Sequence, residues 1–399
     1  MSVRKILTVP GELPKWATSA NTTLEPSNPL QAQGWDLGDK PPARIMNWLQ
    51  NLYYKWIQCF FRMQVSKWKL LNYTTPLGSC MGVVFHPNQG TWLMTDNNRH
   101  TWVSQTGINW DDEGALATSS ALYGWKMDIT NSYILVGCDE GIWTRTSAGT
   151  WALVTIATIG TSNLIKGVCS QFPVSEVTVA VDSAFEVYIS AAITGSWGPA
   201  TTQPPSPPSG TVTCARVVFA GGSNLYLLAA ISGTTKIYKS LDYGISWSAT
   251  ASAPNFGTGE ALEMGYDPDN DILVVVGEYN VRIGKIYYSL DKGDTWIASN
   301  IDWNSSTVPE VTLRAIYNCG NGVWVAGGYG PYSTALDRCT NSRILVTSDL
   351  DNWTWVPIDA DAAVAGSGFR VRDFASNGKH LVAASSAGAC ICKHNGAAE

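Results

Sequence analysis

Five basic residues, Lys126, Lys166, Arg216, Arg314 and Arg372, each stand at the start of a short alternating segment. If those segments converge, the cations form a ring, and like charges about 10 Å apart repel by roughly 0.4 to 1.7 kcal/mol per pair, depending on the effective dielectric. Such a ring takes up anions. One source is an external acidic ligand, such as a uronic acid, a sialic acid or a lipopolysaccharide phosphate. The other is the chain itself: Asp128 is two residues from Lys126 on the same strand face, and Glu263 and Asp373 adjoin other segments of the set. The pattern fits either, and inheritance of one basic residue through repeats would produce it too. Other reactive groups are scattered. His86, His100, His380 and His394 lack ligand spacing, the nine cysteines form no CxxC pairs with histidines, and no phosphate-cradling glycine loop or nucleophile elbow is present. No metal, cofactor or disulfide framework is expected.

The elements that would position the ring follow from a bias of 18 Trp against 9 Phe, alongside 37 Gly. Ser240, Asp242, Gly244 and Trp247 recur as Ser289, Asp291, Gly293 and Trp296, both reading S-x-D-x-G-x-x-W. Each follows a short alternating strand, so the motif lies on a hairpin turn where Asp caps backbone N–H groups, Gly supplies a positive φ and Trp covers the turn. Worn copies run from Thr347 to Trp353, Val103 to Trp110, Thr144 to Trp151 and Ser190 to Trp197. Ahead of the copies stand paired strands such as Arg216-Val-Val-Phe and Leu225-Tyr-Leu-Leu-Ala, which makes a four-stranded unit. Its first strands start at Gly82, Lys126, Lys166, Arg216, Met264, Arg314 and Arg372, about 48 residues apart on average. The expected fold is all-β: a seven-bladed β-propeller over residues 67–399. The last copy lacks its outer Trp strand, and Trp68 to Tyr73 is placed to supply it, closing the ring and removing a sheet edge.

The hairpin motif resembles the Asp box, or bacterial neuraminidase repeat. That resemblance implies a propeller in which the boxes are structural and lie away from the active face, and the superfamily spans sialidases, other glycosidases, assembly factors and phage virion proteins. A sialidase-like or other glycan-degrading enzyme is therefore the alternative reading: Arg216, Arg314 and Arg372 could hold a carboxylate. Against it, sialidase propellers have six blades, and no Tyr/Glu pair or acidic proton donor can be placed.

Residues 1–40, rich in Pro, Thr, Asn and Gly, read as an extended arm. Asp39 and two prolines then introduce an amphipathic helix over 41–66. One apolar stripe carries Ile45, Leu49, Leu52, Trp56, Phe60 and Met63, and a second carries Met46, Tyr53, Ile57 and Phe61. Leaving the second stripe in water would forfeit on the order of 6 kcal/mol, so the helix needs a partner on two sides, either the propeller rim or another chain. The segment from Gly34-Trp35 through Lys40-Pro41-Pro42, Asn47-Trp48 and Lys55-Trp56-Ile57 resembles the N-terminal attachment segment of tailed-bacteriophage tail fibre and appendage proteins. The resemblance implies that residues 1–66 dock on other tail proteins, with Trp48, Leu49, Leu52, Trp56 and Phe60 as the docking helix. It also implies that the remainder faces a host polysaccharide or lipopolysaccharide, or a further fibre. A propeller beginning directly after the helix suits a short appendage or adaptor, present as a homo-oligomer or in several copies per virion.

With 26 Lys+Arg against 32 Asp+Glu and a net charge of −6, the chain lacks the basic face that a nucleic-acid binder needs. No window approaches the roughly 18 to 20 apolar residues of a membrane span, and the first ten residues hold no signal-peptide core. The expectation is a protein made in the host cytoplasm and carried in the virion tail. Trp303 and Tyr332 are loop aromatics suited to stacking on sugars, and Gln203 to Ser209 is a stiff proline-rich connection.

Overall fold

Strands that are covered on both faces read as unbroken apolar runs, and the second strand of each repeat does so: Leu225–Ile231 and Ile272–Tyr279 are buried over most of their length. In a computed structural model the described residues are 68–71, 79–117, 126–138, 141–156, 164–173, 175–206, 213–231, 233–280, 283–302, 311–320, 322–329, 342–356, 358–359, 370–386 and 388–393. Among them there is no helix, and the strands form seven sheets. The arm, the expected helix with Trp48, Leu49, Leu52, Trp56 and Phe60, and the loop aromatics Trp303 and Tyr332 lie outside these residues.

Five sheets follow the chain strand by strand, antiparallel throughout. The first begins at Cys80–His86, the second at Met127–Ile129, the third at Ile165–Ser170, the fourth at Cys214–Phe219 and the fifth at Glu260–Asp267. The sixth begins at Thr312–Asn318 and gains a fifth strand, Asn300–Asp302, parallel to Asn352–Val356. The seventh contains Val371–Ser376, His380–Ser385 and Gly388–Lys393, and its fourth strand comes from the other end of the described chain: Trp68–Leu70 pairs antiparallel with it, Trp68 opposite Cys392 and Leu70 opposite Cys390. Ile358–Asp359 then runs parallel to Trp68 and Lys69.

The apolar core is divided among the gaps between neighbouring sheets. Val179, Val181, Leu225 and Leu227 fill the gap between the third and fourth. Leu228, Met264 and Val275 fill the next, and Trp324 and Trp353 pack against Val274 and Val276 in the one after. Trp68 lies with Val325, Ile344 and Phe374 between the sixth and seventh, and Trp92 and Met94 meet Val382 and Ala384 between the first and seventh. The first strand of every sheet touches that of the next, and Val371–Ser376 touches Cys80–His86.

The two full hairpin copies show why the motif needs its residues. Ser240 Oγ accepts the Gly244 N–H at 2.8 Å and donates to Asp242 Oδ1 at 2.8 Å, and the same Asp242 oxygen accepts the Ser246 N–H at 2.8 Å. The Trp247 indole N–H closes the turn on the Gly244 carbonyl at 2.9 Å. Gly244 has φ 84°, and a Cβ there would stand 2.9 Å from Val179 of the preceding sheet. Ser289, Asp291, Gly293 and Thr295 repeat the polar network with the same 2.8 Å contacts. In the second sheet the turn differs from the expected copy: Thr146, not Thr144, takes the serine's place, its Oγ1 accepting the Thr150 N–H at 3.2 Å.

Candidate functional site

The first strands surround a cavity of about 400 Å³. Its lining comes from the second sheet (Lys126 to Ile129), the third (Val168 to Ser170, with Phe172), the fourth (Arg216 to Phe219), the fifth (Glu263, Met264, Tyr266), the sixth (Ile316, Tyr317) and the seventh (Asp373, Phe374). The basic residues do not form one ring of equivalent positions around it. Strand register separates them: Lys166, Arg314 and Arg372 each sit at the irregular step of their strand, where the pairing skips a residue, as do Met81 and Leu262 in the first and fifth sheets. Arg216 pairs in regular register with Leu228. Arg314 is exposed, Lys166 and Arg372 half-buried, and none of the three lines the cavity. Arg372 reaches back to the first sheet, its guanidinium 2.9 Å from Met81 Sδ and 3.4 Å from Ser79 Oγ.

Lys126 and Arg216 meet the chain's own carboxylates. Lys126 Nζ lies 2.6 Å from Glu263 Oε2 and 3.0 Å from Asp373 Oδ1, which ties the second sheet across the channel to the fifth and seventh. Arg216 Nε donates to the same Glu263 oxygen at 3.1 Å, and its Nη1 caps the carbonyls of Lys166 and Ala215 at 2.6 and 2.8 Å. Asp373 also accepts the Val83 N–H at 3.3 Å. Asp128 is not Lys126's partner in this arrangement; its oxygens take the Ile129 N–H at 2.8 Å and the Ser170 N–H of the third sheet at 2.7 Å.

Burial sets the protonation behaviour. It pulls the Lys126 ammonium down, but Asp373 and Glu263 outweigh it and hold the group above its ordinary value. Burial lifts Asp373, against the pull of Lys126. Burial lifts Asp128 to about 6, opposed by the Ser170 and Ile129 N–H groups. The Cys169 thiol beside it is pushed up by burial and by the Asp128 charge, so it is no thiolate nucleophile at neutral pH.

Toward the strand ends the lining turns aromatic, with Phe172, Phe219, Tyr266 and Tyr317. The basic pattern does not mark these residues, but the sequence holds a cue to two of them: Phe219 and Tyr317 each stand three places after Arg216 and Arg314. The Tyr266 hydroxyl is held by Asp271, and its ring lies 6.1 Å from that of Tyr226. Among the described residues no cluster of His, Cys, Asp or Glu could hold a metal ion, and no helix is long and apolar enough to cross a membrane.

No known protein family and no curated relative matches the sequence. Solved structures do match in shape. One is a GH74 xyloglucanase from Xanthomonas campestris, with a TM-score of 0.61 at 14% identity over 83% of this chain and 54% of that one, so the chain spans about half the enzyme's length. YCF48 from Cyanidioschyzon merolae gives 0.56 at 10% identity over 82% and 98% of the two chains. YCF48 bound to a D1 peptide gives 0.53 at 11% identity over 81% and 96%. At these identities the likeness is one of fold, and that fold is the β-propeller.

Proposed function

We propose that the chain is a structural tail protein of a tailed bacteriophage, docked through residues 1–66 and displaying a seven-bladed propeller that binds a host-surface glycan or another fibre protein. The seven blades are the seven sheets, and Trp68–Leu70 is the strand that closes the ring. The observation that carries the reading is the junction between the two halves. The segment resembling a tail-attachment sequence, 34–57, lies shortly before Trp68, which is 2% exposed and packs on Phe374 at 5.7 Å. In this reading Trp68 anchors the N-terminal side of the propeller to the seventh blade and to the core it shares with the sixth.

A binding role fits the channel chemistry better than catalysis, because Lys126, Arg216, Glu263 and Asp373 are spent on one another. The enzyme alternative draws on the xyloglucanase likeness, and release of reducing ends from host polysaccharide by the purified chain would favour it. The docking half is tested by Trp48→Ala with Trp56→Ala in the phage: the expected result is particles lacking the protein while the purified variant melts as wild type does. Normal incorporation would overturn the docking assignment. Multiple copies in the virion follow from the same reading and are counted on purified particles.

A further inference from the structure

Four charged residues of the cavity lie at one level of the channel, and a fifth, Asp128, lies nearer the strand ends, where it accepts the N–H of Ser170, the last residue of its strand. Arg216 is the third residue of its strand, Glu263 the fourth and Asp373 the third, and Lys126 immediately precedes its strand. Four of the five lining aromatics lie at the other level: Phe219 ends its strand, Tyr266 and Tyr317 are next to last, and Phe172 follows the end of Ile165–Ser170, whereas Phe374 adjoins Asp373 in mid-strand. The space is therefore a cup with a polar floor of crossed ion pairs and an aromatic upper wall.

Three carboxylates, Asp128, Glu263 and Asp373, face two cations in this lining, and both cations are already engaged. An entering uronate, sialate or phosphate would meet surplus negative charge and break existing pairs. A neutral polyhydroxyl ring meets neither obstacle. Asp128 has four acceptor sites, of which the N–H groups of Ile129 and Ser170 use two, the Cys169 thiol donating to the Ser170 carbonyl instead; Lys126 has three N–H donors, of which Glu263 and Asp373 use two. What is left is a donor on Lys126 and acceptor sites on Asp128, both in the cavity lining and two residues apart in the chain, available to a sugar's hydroxyls, with rings suited to its C–H face in the same lining. A volume of about 400 Å³, near the lower end of the roughly 300 to 1,000 Å³ of ligand pockets, admits a sugar residue or two but no folded peptide.

We infer that the channel cup binds a neutral sugar residue of a surface glycan, with Lys126 and Asp128 holding its hydroxyls and Tyr266 and Phe219 covering its face. This rests on the reading of the propeller as a surface-binding domain, and it replaces the acidic ligand that the basic residues suggested. The test is calorimetric titration of the full chain with methyl glycosides of neutral hexoses, deoxyhexoses and N-acetylhexosamines at millimolar concentration, with glucuronate and N-acetylneuraminate in parallel. Saturable binding of a neutral glycoside, weakened about tenfold or more in Tyr266→Ala and in Asp128→Asn, is expected. Competition of that glycoside with binding of the labelled wild-type chain to bacterial cells supplies the check if either variant fails to fold. Binding of the acidic sugars alone, or of none, would overturn the inference. Cell binding that no neutral glycoside competes would overturn it while leaving the surface-binding reading intact, and absence of cell binding as well would remove both.

Discussion

Replacing Lys126 by methionine removes the cation that two carboxylates, one from the fifth sheet and one from the seventh, share. Its Nζ sits 2.6 Å from Glu263 and 3.0 Å from Asp373, whose side chains are only 5% and 13% exposed. Methionine preserves much of the aliphatic stem, so the loss is electrostatic. Arg216 and the Met264 N–H still serve Glu263, whereas Asp373 keeps the Val83 N–H. Breaking a buried ion pair from one side costs about 3 to 5 kcal/mol. At about 2 °C per kcal/mol for a domain of this size, the melting temperature should fall by about 6 to 10 °C at pH 7. The pH response has a definite sign. Burial already raises Asp373 above its unfolded value, and without Lys126 it rises further. A carboxylate raised in the folded state destabilises at pH above that raised value, and the penalty fades as pH falls toward the unfolded value near 4. The deficit of Lys126→Met, measured by urea unfolding, should therefore shrink between pH 7 and pH 5, and Lys126→Met with Asp373→Asn should recover part of it at pH 7. A deficit below about 1 kcal/mol, or one of equal size at both pH values with no recovery in the double variant, would refute the crossed-pair account.

Asp128, raised to about 6 in the fold, should make the wild type more stable as pH falls through 6 toward 4, by up to about 3 kcal/mol from a shift of about two units. Asp128→Asn should flatten that rise, and an unchanged rise in the variant would contradict the assignment. Asp242 and Asp291 are shifted the other way: Asp291 is held low first by the Thr295 hydroxyl and N–H, and hydrogen bonds from Ser246 and Ser240 outweigh the burial that lifts Asp242. Their stabilisation is present above the ordinary carboxylate value and lost as pH falls through the lowered one, and Asp291→Ala should cost about 1.5 kcal/mol at neutral pH by chemical unfolding. No loss at pH 7 would mean that the hairpin holds without its carboxylate. Trp68→Ala should cost about 3 to 5 kcal/mol and speed hydrogen exchange across 371–393 before 214–289. Equal acceleration in both stretches would mean that Trp68–Leu70 is not what secures the seventh sheet.

The turn chemistry was legible because it is local. Ser240, Asp242, Gly244 and Trp247 satisfy one another within eight residues, so their spacing alone states the hairpin, and its repetition at blade intervals states the architecture. The pairing of Trp68–Leu70 with Gly388–Lys393 was legible for a related reason: a repeat that lacks its fourth strand needs one, and a strand-like segment stood ahead of the first copy. Strand register was not. A bulge moves a residue by one place and changes what it faces, and no local cue marks Lys166, Arg314 and Arg372 as the irregular step while Arg216 pairs in register. The charge pairing was decided still further from the local sequence. Lys126 meets Asp373 across 247 residues, a contact that exists only once the sheets have gathered around a channel. Sequence by itself thus determined the repeating unit and the all-β class, since both rest on interactions within a hairpin. Only the tertiary structure decided that two of the basic residues are neutralised from within and that the cavity is walled by aromatic rings, because burial and cross-channel distance are properties of the assembled fold.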